Sequence, residues 1–195
     1  MAGREETMIK LAQKISFFLI LAACPLAAVA QEKSEEKAKA AEELYNAGYI
    51  IGLLGLHHEA IQLFKKSIAI VATAEAYTYL GWTYSHMGDY ERAIEEAQKA
   101  IKIDPDFGNP YNDIGVYLIE QGKEDQAISY LEKATQAKRY CCYQFPHFNL
   151  GRIYLNKKMY ERARQEFKKS LEIDPGYLPP REGLETLKSL GFTDT

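Results

Sequence analysis

The sequence predicts an all-α fold that is built from four tandem pairs of helices. Two series of small residues carry this prediction, because both recur at intervals of 33, 34 and 36 residues. They are Gly48, Gly81, Gly115 and Gly151, and, twelve residues after each glycine, Ala60, Ala93, Ala127 and Ala163. Apolar residues recur around them at the three- and four-residue spacing of amphipathic helices. Such a long period is typical of architectures in which each unit buries its apolar face against its neighbours.

These intervals divide the repeated region into units at 41–73, 74–107, 108–143 and 144–177. Gly55, Gly88 and Gly122 mark the turn between the two helices of the first three units, where a positive φ favours glycine. The fourth unit has Lys158 at this place. A glycine inside each first helix costs about 1 kcal/mol relative to alanine. We expect close approach of the paired helix, at the matching alanine, to offset that cost.

The second helix of a unit ends at an Asp-Pro pair in two cases, at 104–105 and at 174–175. The third unit lacks this pair and gains two residues around 140–143, which predicts a looser or kinked junction with the fourth unit. Residues 178–195 are expected to form a capping helix and tail. Pro179-Pro180 would start the helix, with Leu184, Leu187 and Leu190 on one face.

The segment around Leu80-Gly81 resembles a nearly complete tetratricopeptide repeat, with Tyr84, Gly88, Tyr90, Ala93, Ala100 and Pro105 at the family's positions. The resemblance extends over the four units, which make up about 70% of the chain. It implies a right-handed superhelical solenoid in which the first helices line a concave groove that binds a partner peptide or helix. The residues that it places in the groove are Tyr45, Tyr49, Thr78, Trp82, Ser85, Asn112, Val116, Phe148, Arg152 and Asn156.

Trp82, the single tryptophan, either anchors the partner in this groove or packs between helices. One branch of the family clamps the C-terminal carboxylate of chaperones with lysine, asparagine and arginine side chains. Only Asn112 and Arg152 fit that pattern here, so we reject the chaperone clamp.

No motif supports catalysis, since the sequence lacks a phosphate loop, a zinc-protease helix and a Gly-x-Ser-x-Gly turn. No cofactor or metal site is predicted, because the adjacent His57 and His58 point about 100° apart on a helix. Cys141 and Cys142 leave three alternatives open: inert loop thiols, a vicinal or intermolecular disulfide, or a metal site. The net charge of −3 argues against nucleic acid, whose binding requires a basic surface.

Residues 1–30 are typical of a signal peptide, because Lys10 and Lys14 precede a short apolar stretch. Two processing sites compete. Ala28-Val29-Ala30 before Gln31 resembles a signal peptidase I site, whereas Leu21-Ala22-Ala23-Cys24 resembles a lipobox with lipidation at Cys24. Pro25 counts against the second reading. The product would be periplasmic, or lipid-anchored on the periplasmic face of a membrane, with 31–40 as a charged lead-in.

Three functions follow as hypotheses. The first is a scaffold that binds a partner in the concave groove, as an adaptor in a bacterial envelope assembly. The second is a homo-oligomeric structural module of the periplasm or outer membrane. An enzyme or enzyme subunit is the third, and the absence of catalytic motifs disfavours it.

Overall fold

A computed structural model of the chain describes the backbone of residues 2–192 and the side chains of residues 27–192. Its helices, in chain order, are α1 (Ala2–Leu53), α2 (His57–Ile70), α3 (Ala74–His86), α4 (Tyr90–Ile103), α5 (Asn109–Glu120), α6 (Glu124–Gln136), α7 (Gln144–Asn156), α8 (Tyr160–Ile173) and α9 (Pro179–Ser189). Consecutive helices pair as antiparallel hairpins, and each hairpin stacks on the next. The prediction of an all-α repeat solenoid is confirmed.

From residue 2 onward, the predicted signal peptide and the lead-in fall within the long helix α1. Across the part of the chain that the structure describes, no helix is both long enough and apolar enough to cross a bilayer. Cys24, the predicted lipidation residue, lies outside the residues whose side chains are described. The choice between the two processing sites therefore stays a prediction.

The hydrophobic core runs along the stack instead of gathering in one centre. One cluster joins the first two hairpins through Ala60, Ile61, Phe64, Leu80, Tyr84 and Ala93. A second cluster extends from the second hairpin to the cap through Ala97, Ile114, Leu118, Leu131, Leu150, Phe167 and Leu187. Each hairpin thus buries its apolar face against its neighbours, as a repeat stack requires.

The mid-helix glycines allow close packing, but their partner differs between units. A Cβ on Gly81 would lie 2.8 Å from the carbonyl oxygen of Ala93, so in the second unit the expected approach at the matching alanine is confirmed. In the other units a large side chain, four residues after the alanine, fills the space. The pairs are Gly48 with Phe64, Gly115 with Leu131 and Gly151 with Phe167. In the second unit, the residue four places after the alanine is Ala97, which is small. The backbones of α3 and α4 therefore come closer together there.

The turns within the hairpins match the sequence prediction. Gly55, Gly88 and Gly122 have φ angles of 79°, 77° and 72°. Lys158 has a φ of 58° at the corresponding turn, although it carries a side chain. A left-handed backbone costs an L-residue about 1 kcal/mol or more, and glycine avoids this cost. The fourth turn therefore retains the geometry of the others at an energetic disadvantage.

The segment that joins the third unit to the fourth folds against the preceding junction, and the looser or kinked packing between these two units stays a prediction. The Arg139 backbone donates to the carbonyl of Asp106 and accepts from the Gly108 amide. Its guanidinium bonds the carboxylates of Glu75 at 2.6 Å and Asp104 at 2.7 Å. The inserted residues fold back on the preceding junction, which gives their backbone the partners that a free loop would lack.

The cap begins at Pro179, as predicted, and Leu187 is fully buried. Leu190 does not share its face, since it lies beyond the end of α9 and is 51% exposed. Phe192 packs at this end instead, with its ring centroid 4.5 Å from that of Tyr160. Residues 193–195 of the predicted tail lie outside the described residues.

Candidate functional site

The stack curves with its first helices on the inner side. Among the described residues, α1 contacts α3, α3 contacts α5 and α5 contacts α7. The second helices, α2, α4, α6 and α8, make no such contacts with one another. Helices that come closer together lie on the concave side of a curved stack. The concave surface is therefore formed by α1, α3, α5 and α7, the helices that the sequence assigned to the groove.

A cavity of about 250 Å³ opens on this surface where α1, α3 and α5 meet. Its lining residues are Tyr49, Leu53, Thr78, Tyr79, Trp82, Asn109 and Asp113. Three of the predicted groove residues (Tyr49, Thr78 and Trp82) are thus brought together at one place. We call this cavity the central pocket.

Aromatic rings form one side of the central pocket. The Tyr79 ring meets those of Tyr49 and Trp82 edge-on, at centroid distances of 5.0 and 6.2 Å. Trp82 also lies against His86 at 4.1 Å, and its ring would be 3.2 Å from a Cβ on Gly52. Trp82 is therefore half-buried, so that it packs on α1 and also lines the central pocket, and its role as an anchor for a partner stays a prediction.

A single carboxyl group, that of Asp113, lines the central pocket on the side of α5. Burial raises the pKa of this carboxyl to about 7, although a hydrogen bond with Asn112 acts in the opposite direction. No lysine or arginine among the described residues forms an ion pair with Asp113. The groove therefore contains an acidic group whose charged form has no cationic partner in the part of the chain whose side chains the structure describes.

Three predicted polar residues already have partners within the protein. Thr78 was expected to be exposed, but it is only 3% exposed, and its hydroxyl donates to the Ala74 carbonyl. The Ser85 hydroxyl donates to the carbonyl of Trp82. Asn112 accepts a hydrogen bond of 3.3 Å from Asn149, a buried residue of α7. These side chains support the groove more than they present free polar groups.

A second aromatic group lies on α7. The Phe148 and Tyr177 rings meet edge-on at 5.4 Å, and the Arg152 guanidinium lies 5.7 Å from the centre of the Phe148 ring. Asn156, at the end of the same helix, donates to Glu124 on α6. Phe148 and Arg152 thus form a surface on α7 that is separate from the central pocket.

Two predicted residues lie toward the edges of the groove. Tyr45 borders a smaller cavity of about 220 Å³, and its ring packs on those of Phe64 and Tyr79. Val116 is partly buried against the first core cluster. Neither residue lines the central pocket.

The structure shows Cys141 and Cys142 as free thiols. Burial, followed by a hydrogen bond with Cys141, raises the pKa of the Cys142 thiol to about 11. A thiol with such a pKa is almost entirely protonated at neutral pH, and the protonated form is a poor nucleophile and metal ligand. Within the described residues, no group of three histidine, cysteine or acidic side chains could hold a metal ion.

Sequence reasoning missed four of the seven lining residues: Leu53, Tyr79, Asn109 and Asp113. Helical spacing offered a signal, because Tyr49 and Leu53 are four residues apart on α1, as are Asn109 and Asp113 on α5. The residues chosen on α5 were Asn112 and Val116, which form the neighbouring stripe of the same helix.

Comparison with known families agrees with this architecture. Models of the tetratricopeptide repeat match residues 74–107, 109–141 and 145–177, which together make up about half of the chain. The small glutamine-rich tetratricopeptide repeat-containing protein 2 of Mycosarcoma maydis is 29% identical over 104 residues, covering 53% of this chain and 30% of that protein. The type IV pilus assembly protein PilF of Pseudomonas aeruginosa is 26% identical over 144 residues, covering 73% of this chain and 56% of its own length.

Neither curated relative is matched over two thirds of its length. Among solved structures, pilF from Pseudomonas aeruginosa superposes with a TM-score of 0.69 at 22% identity, over 82% of this chain and 80% of that one. At this level of identity, the structural likeness concerns the fold alone.

Proposed function

Because the chain belongs to the tetratricopeptide repeat family, we propose that it is a scaffold that holds a partner polypeptide in its concave groove, as an adaptor in a bacterial envelope assembly. The observation that carries the proposal is the central pocket, a concave site with aromatic walls and one carboxyl group. Aromatic side chains in such sites contribute large contact areas at low conformational cost. Repeat solenoids use extended concave surfaces of this kind for binding.

Two observations support a place in the cell envelope. Residues 1–30 have the charge and apolar pattern of a signal peptide. A type IV pilus assembly protein is among the relatives, and its match covers 73% of this chain. The partner itself is named by neither observation, since a fold hosts many functions. Mass spectrometry of the mature N-terminus tests the export proposal, which predicts a start at Gln31 or a lipidated Cys24; an intact leader contradicts it.

A pull-down from the native host tests the groove. The double variant Trp82→Ala, Arg152→Ala removes one ring and one cation from the concave side. Its matched control is Tyr130→Ala, Lys133→Ala, which removes a ring and a cation that lie 5.7 Å apart on α6, a second helix.

The proposal predicts that the first variant loses partners that both the wild type and the control variant retain. Circular dichroism must show equal helix content for all three proteins, because Trp82 also packs on α1. Equal capture by both variants contradicts the groove assignment.

A homo-oligomeric module is the second candidate, and the surface around the first turn favours it. Ile50, Leu53, Leu54 and Leu56 are each between 46% and 69% exposed and lie close together in sequence. Exposed apolar patches commonly mark interaction surfaces. Light scattering with and without reductant tests this candidate, since a monomer under both conditions contradicts it.

A further inference from the structure

The size of the central pocket suits one side chain. Pockets that hold whole small-molecule ligands measure about 300–1,000 Å³, and the central pocket, at about 250 Å³, is smaller. It also lies on the concave surface that α1, α3, α5 and α7 form. A residue of an extended polypeptide can therefore enter the pocket while the rest of the chain lies along the groove.

The lining residues of the central pocket carry negative charge only. Asp113 is its one acidic residue, and none of its seven lining residues is basic. Arg139, on the neighbouring junction, already bonds Glu75 and Asp104. A carboxylate that is half-buried without a cationic partner gains most from a ligand that supplies the cation.

The rings of the pocket favour the same ligand. A cation near the face of a tryptophan or tyrosine is attracted by the ring's quadrupole, and desolvation strengthens this attraction. Tyr79 meets both Tyr49 and Trp82 edge-on, so the face of the Tyr79 ring is turned away from the directions in which the other two rings face. Leu53 adds an apolar surface for an aliphatic stem. An aliphatic stem that ends in a cation matches this combination of surfaces.

We infer that the central pocket, between Tyr49, Tyr79, Trp82 and Asp113, takes up a lysine or arginine side chain of the polypeptide held in the groove. The charged end bonds the Asp113 carboxylate, and the methylene stem lies against the rings and Leu53. This inference rests on the proposed groove function. It adds that the groove recognises a basic residue of its partner. A partner whose contact segment lacks basic residues would leave the Asp113 carboxylate without a cation.

Selection from random peptides displayed on phage tests the inference on the full chain. The experiment compares the wild type, Asp113→Asn and Asp125→Asn, at pH 8. Asp113→Asn keeps the size of the side chain and removes its charge. Asp125→Asn removes the same charge from a side chain that is 85% exposed on α6, and so controls for net charge. The wild type and Asp125→Asn should enrich a basic residue at one shared position, and Asp113→Asn should lose this enrichment.

A synthetic peptide from the selection then measures the contribution of the basic residue. Trp82 is the single tryptophan and lines the pocket, so its fluorescence reports binding directly. Replacing the basic residue of the peptide by norleucine, which keeps the stem and removes the charge, should weaken binding at least about tenfold. This arm leaves the protein unaltered, so it does not depend on the folding of a variant. Lysine and arginine versions of the peptide distinguish the two cations.

The outcomes separate this inference from the function on which it rests. Selected peptides without an enriched basic residue, or equal affinity for the norleucine peptide, overturn the cation pocket and leave the groove function standing. Equal enrichment by Asp113→Asn also overturns it. If the wild type selects no peptide at all, the groove function fails, and the pocket fails with it.

Discussion

Replacing Asp113 by asparagine is expected to stabilise the protein, and to do so more at pH 8 than at pH 4.5. The folded-state pKa of this carboxyl is raised to about 7 by burial, against about 3.9 for an aspartate in an unfolded chain. Between these two values, the folded protein binds the proton more tightly than the unfolded chain does. Stability is therefore lost as the pH rises from about 4 to about 7, and the loss is complete above pH 7.

The size of this effect follows from the pKa shift. A shift of about three units corresponds to about 4 kcal/mol at 1.36 kcal/mol per unit, which is an upper limit. Asp113 is only partly buried and lines a cavity that opens to water, so solvent reduces the penalty. We expect Asp113→Asn to gain about 1–2 kcal/mol at pH 8 and a smaller amount, below about 1 kcal/mol, at pH 4.5.

The groups that face Asp113 do not titrate in this range. Burial, followed by the charge of Asp113, raises the pKa of the Tyr117 and Tyr140 hydroxyls. Burial chiefly raises the pKa of Tyr79 on α3 as well. All three tyrosines therefore stay neutral, and the difference between wild type and variant reports Asp113 alone.

Urea unfolding of both proteins at the two pH values measures the difference in the free energy of unfolding. Asp125→Asn serves as the control, because it removes the same charge from an exposed side chain, one that forms a surface ion pair with Lys157. Its effect should stay within about 1 kcal/mol at either pH. If Asp113→Asn and the wild type show the same change in stability between pH 4.5 and pH 8, the carboxyl is not desolvated, and the description of the pocket fails.

Three further substitutions test the fold by urea unfolding. Lys158→Gly should raise the free energy of unfolding by about 0.5–1 kcal/mol by relieving the left-handed turn, whereas Lys158→Ala should bring no such gain; equal gains would point to the charge instead. Gly81→Ala should destabilise by about 1–3 kcal/mol despite its better helix propensity, because the new Cβ would lie 2.8 Å from the Ala93 carbonyl oxygen; unchanged stability would contradict the close approach. Arg139→Ala should cost about 0.5–1.5 kcal/mol, since its guanidinium bonds two carboxylates. Lys138→Ala, at a side chain that is 81% exposed, should change stability less, and an equal loss would argue against an anchored junction.

The repeat architecture was predictable because small residues mark the places where helices come close. Gly81 and Ala93 are small because the backbones of their two helices lie close together at this point. The spacing of such residues therefore indicates where helices pack. Where a mid-helix glycine packs against a large side chain, the sequence gives less indication of which side chain that is. Phe64 and Phe167 sit against glycines because the neighbouring positions leave room for a ring, and this arrangement depends on how the two helices cross.

The candidate site was predictable as a surface but not as a pocket. Asn112 and Asp113 are adjacent on α5, and one residue along a helix is a rotation of about 100°. Hydrophobic periodicity separates the core from the outer face, but it does not decide which polar stripe faces the next helix. That depends on the packing of α3 against α5, which turns Asn112 toward Asn149 and leaves Asp113 in the pocket. The contacts of Arg139 were not predictable for a similar reason, since its partners lie 35 and 64 residues away in sequence.

Photo-cross-linking in the native host tests most directly whether the concave side holds the partner. A photoreactive residue is introduced in place of Tyr49 or Asn109, which line the central pocket, and in place of Lys102 or Ser129, which are exposed on the second helices. The groove function predicts that the first two positions cross-link to the same partner and that the other two do not. Cross-links that form mainly from Lys102 and Ser129 would place the partner on the opposite side and contradict it.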